Sequence, residues 1–244
     1  MAVCDIAGLR VNIKNMTGRT GKQAQPYLSA DQNEETADIV IDVSPQRVEA
    51  AKKEHPELNS DDWEYMLTGQ DFYTALIEHD GILLHSSCIA VDGVAYAFSA
   101  DSGTGKSTHT SLWLKHFGKR AHMVNDDKPA LRIIDGKVYA CGTPWSGKYD
   151  YSTPELVPLA GICFLERSKE NHIEKADTSK AIYNIFAQTV RKIGAQRMEK
   201  LLDVLDRIFK LVPIWQLGCN ISDEAVLTSY NACLLYTSPS PRDA

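Results

Sequence analysis

The stretch Ser102-Gly103-Thr104-Gly105-Lys106-Ser107-Thr108, inside FSADSGTGKSTHT (98–110), sets two glycines, a lysine and four hydroxyls in the order that holds a nucleotide's phosphates. Glycines let successive backbone N–H groups converge on phosphate oxygens, and the helix that follows points its positive end at the same place. In that arrangement Lys106 pairs with the β- and γ-phosphates and the Ser107 hydroxyl ligates Mg²⁺. Ala100 stands where the usual loop has its first glycine. It fits if its backbone keeps a negative φ, because the site needs converging amides more than glycine at every position.

A metal-dependent phosphate site also needs carboxylates, and AHMVNDDKPALR (121–132) supplies Asp126 and Asp127 after a short apolar run. Phosphoryl transfer can use one carboxylate for the metal and the other to accept the proton of an attacking hydroxyl. Asp126 is the preferred base, with Asp127 and Ser107 serving the metal, and an exchange of the two aspartates stays open. Lys128 is a candidate to neutralise charge on the transferred group, a solvated lysine being the alternative. In GTPWSGK (142–148), Thr143, Trp145 and Lys148 are candidate acceptor or phosphate contacts. The alternative there is an ordinary proline-bearing turn with Trp145 packed against the core. Arg191 and Arg197, near Gly194, either reach phosphate or are solvated helix residues.

The elements that must hold these residues are legible in the patterning. IAGLRVNI (6–13) reads as one strand and ADIVIDV (37–43) as another, with a polar loop between them. Ser44-Pro45 caps a helix through about Lys53, and a second helix covers 61–78. Asp92-Gly93 and Asp135-Gly136 each supply the positive φ of a tight hairpin, so the chain enters its glycine loop from an antiparallel pair. HTSLWLKHFG reads as a short helix after the loop. LAGICFLER (159–167) reads as a buried strand, 178–194 and 196–211 as amphipathic helices, PIWQLGC as a last strand and SDEAVLTSY as a short helix. The fold class is α/β with a mixed, hairpin-rich central sheet flanked by helices.

A chain of 244 residues, 43% hydrophobic and 24% charged, is long enough for a real core, and a net charge of −6 argues against a nucleic-acid footprint. No apolar run reaches membrane-spanning length and the amino terminus lacks a secretory signal, which implies a cytoplasmic protein without a membrane partner. Six cysteines without a C-x-x-C pair argue against a zinc site or a disulfide framework. CLLYTSPSPRDA (233–244) matches, through Asp243, the translation of a transposase sequencing adapter and is read as such, with authentic sequence ending near Ala232.

The loop, the hairpin before it and the acid pair one short helix later resemble the superfamily that contains HPr kinase/phosphorylase and phosphoenolpyruvate carboxykinase. The match runs from about Ile82 to Lys128. HPr kinase-like members carry a histidine on the strand upstream of the loop, and His85 in LLHSSCIAVDG matches it. The resemblance implies a catalytic role for His85 near the phosphates or the acceptor, where the residue alone reads as a half-buried strand histidine. CGTPWSGK departs from the arginine-glycine signature of true HPr kinases, and the chain is far shorter than a carboxykinase. It therefore looks like the small HPr kinase-related kinases, some of which phosphorylate free serine or a serine-bearing peptide.

The resemblance implies a phosphoenolpyruvate carboxykinase-like P-loop domain over 81–232, on which the strands and helices of 1–80 pack. It implies ATP and Mg²⁺ as cofactors, and a small-molecule or peptide hydroxyl as acceptor. A nucleotide-binding regulatory module without transfer and a carboxykinase-like lyase are the alternatives. Oligomeric state is left open by the sequence, a homo-oligomer included.

Overall fold

In the computed structural model, residues 2–190 and 193–237 are described, with side chains to Cys233. The first reversal of the chain comes earlier than the sequence suggests. Ala7 and Gly8 both take positive φ (54° and 72°) and split the single strand expected over 6–13 into β1 (Ala2–Ile6) and β2 (Leu9–Lys14). That is the geometry of a two-residue hairpin turn, and an alanine in it gives no sequence signal because alanine seldom adopts left-handed backbone. β3 (Ile39–Asp42) adds parallel to β2 and completes a three-stranded sheet. The polar connection before β3 contains a short helix, α1 (Gly18–Gln23), where a loop was expected.

α2 (Pro45–Glu54) starts as its sequence requires, with the Ser44 hydroxyl accepting from the Arg47 N–H and proline at the first helical position. α3 (Ser60–Leu76) is capped by Asn59, which accepts from the Asp62 N–H at 2.9 Å. α3 lays Tyr65, Phe72, Tyr73 and Leu76 against the small sheet.

Among the described residues the second sheet has nine strands, and its hairpins fall where the Asp-Gly pairs place them. β4 (Gly81–Leu83) is followed by β5 (Ser86–Val91) and β6 (Val94–Ser99), which turn at Asp92-Gly93 (51° and 79°). α4 (Lys106–Phe117) leads to β7 (Ala121–Asn125). β8 (Ala130–Ile134) and β9 (Lys137–Cys141) turn at Asp135-Gly136 (48° and 74°).

The twelve-residue β10 (Leu156–Arg167) joins both halves of this sheet, pairing antiparallel with β9 through its first residues and parallel with β6 further on. β11 (His172–Lys175), unsignalled because it is short and polar, pairs with β12 (Ile214–Cys219). Between them come α5 (Thr178–Ala187) and α6 (Ala195–Leu211), and α7 (Asp223–Thr237) is longer than the short helix expected there. The sheet is mixed, as the hairpins dictate.

Alternation along the central strands sends side chains to two different cores. Cys88, Ala90, Ala95, Ala97, Ile162 and Phe164 face α5 and α6, whereas Ile89, Tyr96, Phe98 and Leu165 face α4 and α7. Strands covered on both faces read as near-continuous apolar runs, and β5 is buried along its whole length. Among the described residues no helix is long and apolar enough to cross a membrane.

Candidate active site

β5 lies between β6 and β7 and is antiparallel to both, so β6 and β7 run the same way and end at the same edge of the sheet. The registers Ser86↔Ser99 and Cys88↔Asn125 put the start of β5 at that edge too. One edge therefore receives the glycine loop after β6, the acid pair after β7 and His85 just before β5. Carboxyl ends of parallel strands are where ligand sites of open α/β sheets form.

Ala100 keeps a negative φ; in the loop it is Gly103 and Gly105 that take positive values, 78° and 128°. Open space lies over both glycines, so backbone conformation and not crowding requires them there. Ser102 and Gly103 form an exposed rim, Thr104 and Gly105 are half-buried, and Ser107 and Thr108 stand exposed on the first turn of α4. Lys106 folds back, its Nζ donating to the carbonyl of Ala100 at 2.8 Å. Burial pushes the Lys106 ammonium down from its ordinary value, against the pull of Asp127, Asp101 and Asp126.

The two aspartates sit side by side in contrasting surroundings. Burial pushes the Asp126 carboxyl above its ordinary value, while the hydrogen bond from the Ser87 hydroxyl (2.5 Å) and the nearby Ser107 hydroxyl act the other way and the Asp127 charge adds to the rise. At Asp127 burial also pushes upward, but it is outweighed by His85 and by the paired Lys128 ammonium, and the carboxyl falls to about 2. The His85 Nε2 is 3.3 Å from Asp127 Oδ1, and its Nδ1 is 3.0 Å from Gln188 Oε1. The Gln188 Nε2 in turn donates to Asp101 Oδ1 at 3.2 Å. A continuous polar chain thus runs from the glycine loop through Gln188 and His85 to Asp127.

Asn125 is the support that the sequence reading passed over. Its Oδ1 accepts from the N–H groups of Asp127 (2.9 Å) and Lys128 (2.7 Å), which folds the acid pair into a fixed turn. Its Nδ2 donates to the Thr143 carbonyl (3.1 Å), Thr143 Oγ1 (3.1 Å) and Ser152 Oγ (3.2 Å). Thr143 is wholly buried and its hydroxyl donates to the Lys128 carbonyl at 2.8 Å, so it braces the turn from behind.

Trp145 is buried as well, stacked on Phe72 with ring centroids 4.9 Å apart, which is the core-packing alternative. Lys148 is exposed and lies over the Tyr149 ring. The segment still borders the site: a Cβ at Gly147, whose φ is +77°, would lie 2.8 Å from the Cβ of Asp127.

Gln188, Ser87 and Arg167 also escaped the sequence reading. Arg167 ends β10 beside the loop, where its guanidinium donates to the carbonyls of Gly103 (2.6 Å) and Thr104 (3.2 Å). The usable signal was a cation closing the strand next to the loop strand, which needs the strand order first. Arg197 pairs with Glu78 at 3.6 Å, and Arg191 lies outside the described residues.

Two open hollows adjoin the loop. One of 510 Å³ is bordered by Asp101, Ser102, Thr104, Glu166 and Arg167. A neighbouring one of 300 Å³ is bordered by Asp101, Lys180, Tyr183, Asn184, Gln188 and Gln216. Among the described residues no group of three or more His, Cys, Asp or Glu side chains forms a metal cage. Mg²⁺ does not require one, since one or two carboxylates with substrate phosphates and water suffice. Asp126, half-buried beside a second carboxylate and accepting from the Ser87 hydroxyl, has the chemistry of a hard-cation ligand.

No family model matches the chain, and no curated protein matches it in sequence. Among solved structures, the Hpr(Ser) kinase/phosphatase from Coxiella burnetii aligns with a TM-score of 0.39 at 9% identity, over 64% of this chain and 99% of that one. That likeness is too slight to assign an activity.

Proposed function

We propose that this chain is an ATP- and Mg²⁺-dependent kinase with a phosphoenolpyruvate carboxykinase-like P-loop, transferring the γ-phosphoryl group to a hydroxyl of a small molecule or peptide. The observation that carries the reading is the meeting of loop and acid pair at one sheet edge, where the Ser107 hydroxyl comes near enough to act on the Asp126 carboxyl. That nearness favours exchanging the two aspartates: Ser107 and Asp126 would hold Mg²⁺, and Asp127 would face the acceptor. Bound there, Mg²⁺ supplies neutralisation of phosphate charge.

The loop amides and Lys106 hold the β- and γ-phosphates, and Arg167 steadies the loop through its carbonyls. As the acceptor oxygen bonds to the γ-phosphorus, the bridging P–O bond breaks and ADP leaves, while Asp127 accepts the hydroxyl proton. A carboxylate held near 2 is a weak base, which suits a loose transition state in which the proton is lost late. His85 orients that carboxylate, and Lys128 stands beside it to balance charge on the transferred group. Incubation with γ-labelled ATP and a panel of free serine, sugars, serine peptides and HPr is expected to label at least one acceptor. Binding of Mg·ATP with no acceptor ever labelled would remove the kinase and leave a nucleotide-binding module.

A further inference from the structure

Neither hollow at the loop is bordered by the acid pair, and the hollow beside Lys128 is of a different kind. There, between α3 and β4, a cavity of about 230 Å³ is bordered by Trp63, Met66, Gln70, Tyr73, Leu83 and Lys128. The Trp145 ring forms part of its wall, seated so closely on Gly69 that a Cβ there would be 2.8 Å from it. The cavity abuts the acid pair, because Lys128 is paired with Asp127 and the Tyr73 hydroxyl donates to the Lys128 carbonyl.

We propose that this cavity is an acceptor subsite that takes the aliphatic or aromatic side chain of a peptide, adjacent to the residue whose hydroxyl is phosphorylated. The inference rests on the kinase reading for the hydroxyl alone. A volume of 230 Å³ is below that of sites that enclose a whole drug-sized ligand and suits one large side chain. Its described lining is aromatic and aliphatic apart from Gln70 and Lys128, and contains no carboxylate. An α-ammonium group would find no carboxylate in that lining and would meet the Lys128 ammonium, which disfavours a free amino acid and favours the interior of a peptide. The Gln70 amide and the remaining Lys128 hydrogens are suited to peptide carbonyls. Met66, 49% exposed at the mouth, is a flexible side chain able to adapt to the occupant.

The test uses Ac-Leu-Ser-Leu-NH₂ and Ac-Ala-Ser-Ala-NH₂ with the full chain. Binding is read from the emission of Trp63 and Trp145 in the cavity wall, and transfer from γ-labelled ATP. The leucine peptide is expected to bind about tenfold or more tightly than the alanine peptide. Met66→Glu, at an exposed position, should abolish that preference while leaving Mg·ATP affinity unchanged. Equal binding of the two peptides, or a preference unmoved by Met66→Glu, overturns the subsite, and label entering both peptides equally would leave the kinase standing without it. Preferential binding of the leucine peptide with no label transferred to any acceptor keeps the subsite and removes the kinase.

Discussion

Asn125 uses both ends of its wholly buried amide, holding the backbone of Asp127 and Lys128 on one side and Thr143 and Ser152 on the other. Removing it leaves several buried donors and acceptors unpaired, each costing about 1–3 kcal/mol. Asn125→Ala is therefore expected to destabilise the protein by about 3 kcal/mol or more, measured by urea unfolding. Residues of this rank divide by how much of their role is local. The glycine loop and the acid pair are legible because their chemistry lies within a few consecutive positions. Gln188 lies 87 residues from Asp101 and 103 from His85, and only the folded sheet makes the three neighbours. Thr143 and Trp145 have the residue types of a contact loop, but the packing of α3 turns both inward, and nothing in a single sequence signals that.

At the scale of elements, Gly69 shows how packing overrides propensity. An alanine in mid-helix is ordinarily favoured over glycine by about 1 kcal/mol. In α3 the added Cβ would meet the Trp145 ring at 2.8 Å. Gly69→Ala is expected to destabilise by about 1–3 kcal/mol, a value a melting or urea experiment reads directly. A gain in stability would mean that Trp145 is not seated on α3.

Legibility at this scale follows turn chemistry. Both Asp-Gly hairpins and the Ser44-Pro45 helix start are where their residues predict, because aspartate, glycine and proline favour those backbone angles intrinsically. The Ala7-Gly8 turn was hidden because the pairing of β1 with β2 imposes left-handed backbone on an alanine. β11 was hidden because the edge of β12 recruits it, without a hydrophobic pattern of its own.

Among the described residues two sheets share one core, and a buried histidine ties the protein's stability to pH. His109, on α4, faces Ser229 of α7 and lies edge-on to Phe98, with its Nε2 accepting from Trp113 Nε1 at 3.1 Å. Burial lowers its pKa to about 4, against an unfolded value near 6.5. Between those values the unfolded chain binds a proton that the folded one does not, so stability falls as pH drops through that window. Unfolding free energy is expected to fall by about 2–3 kcal/mol from this group between pH 7 and pH 4.5. His109→Gln, measured at both pH values, should show a correspondingly smaller loss.

The nucleotide loop, the acid pair and the histidine between them form one phosphoryl-transfer site if the proposed function holds. The most direct measurement follows γ-labelled ATP and a serine peptide with wild type, Lys106→Ala and Asp127→Asn, with Mg·ATP binding read in parallel by calorimetry. Wild type is expected to bind Mg·ATP and label the peptide, and Lys106→Ala to lose both. Asp127→Asn should keep nucleotide affinity while transfer falls by about 10²-fold or more. Transfer undiminished in Asp127→Asn, or label that never leaves ATP in the wild type, would contradict that site.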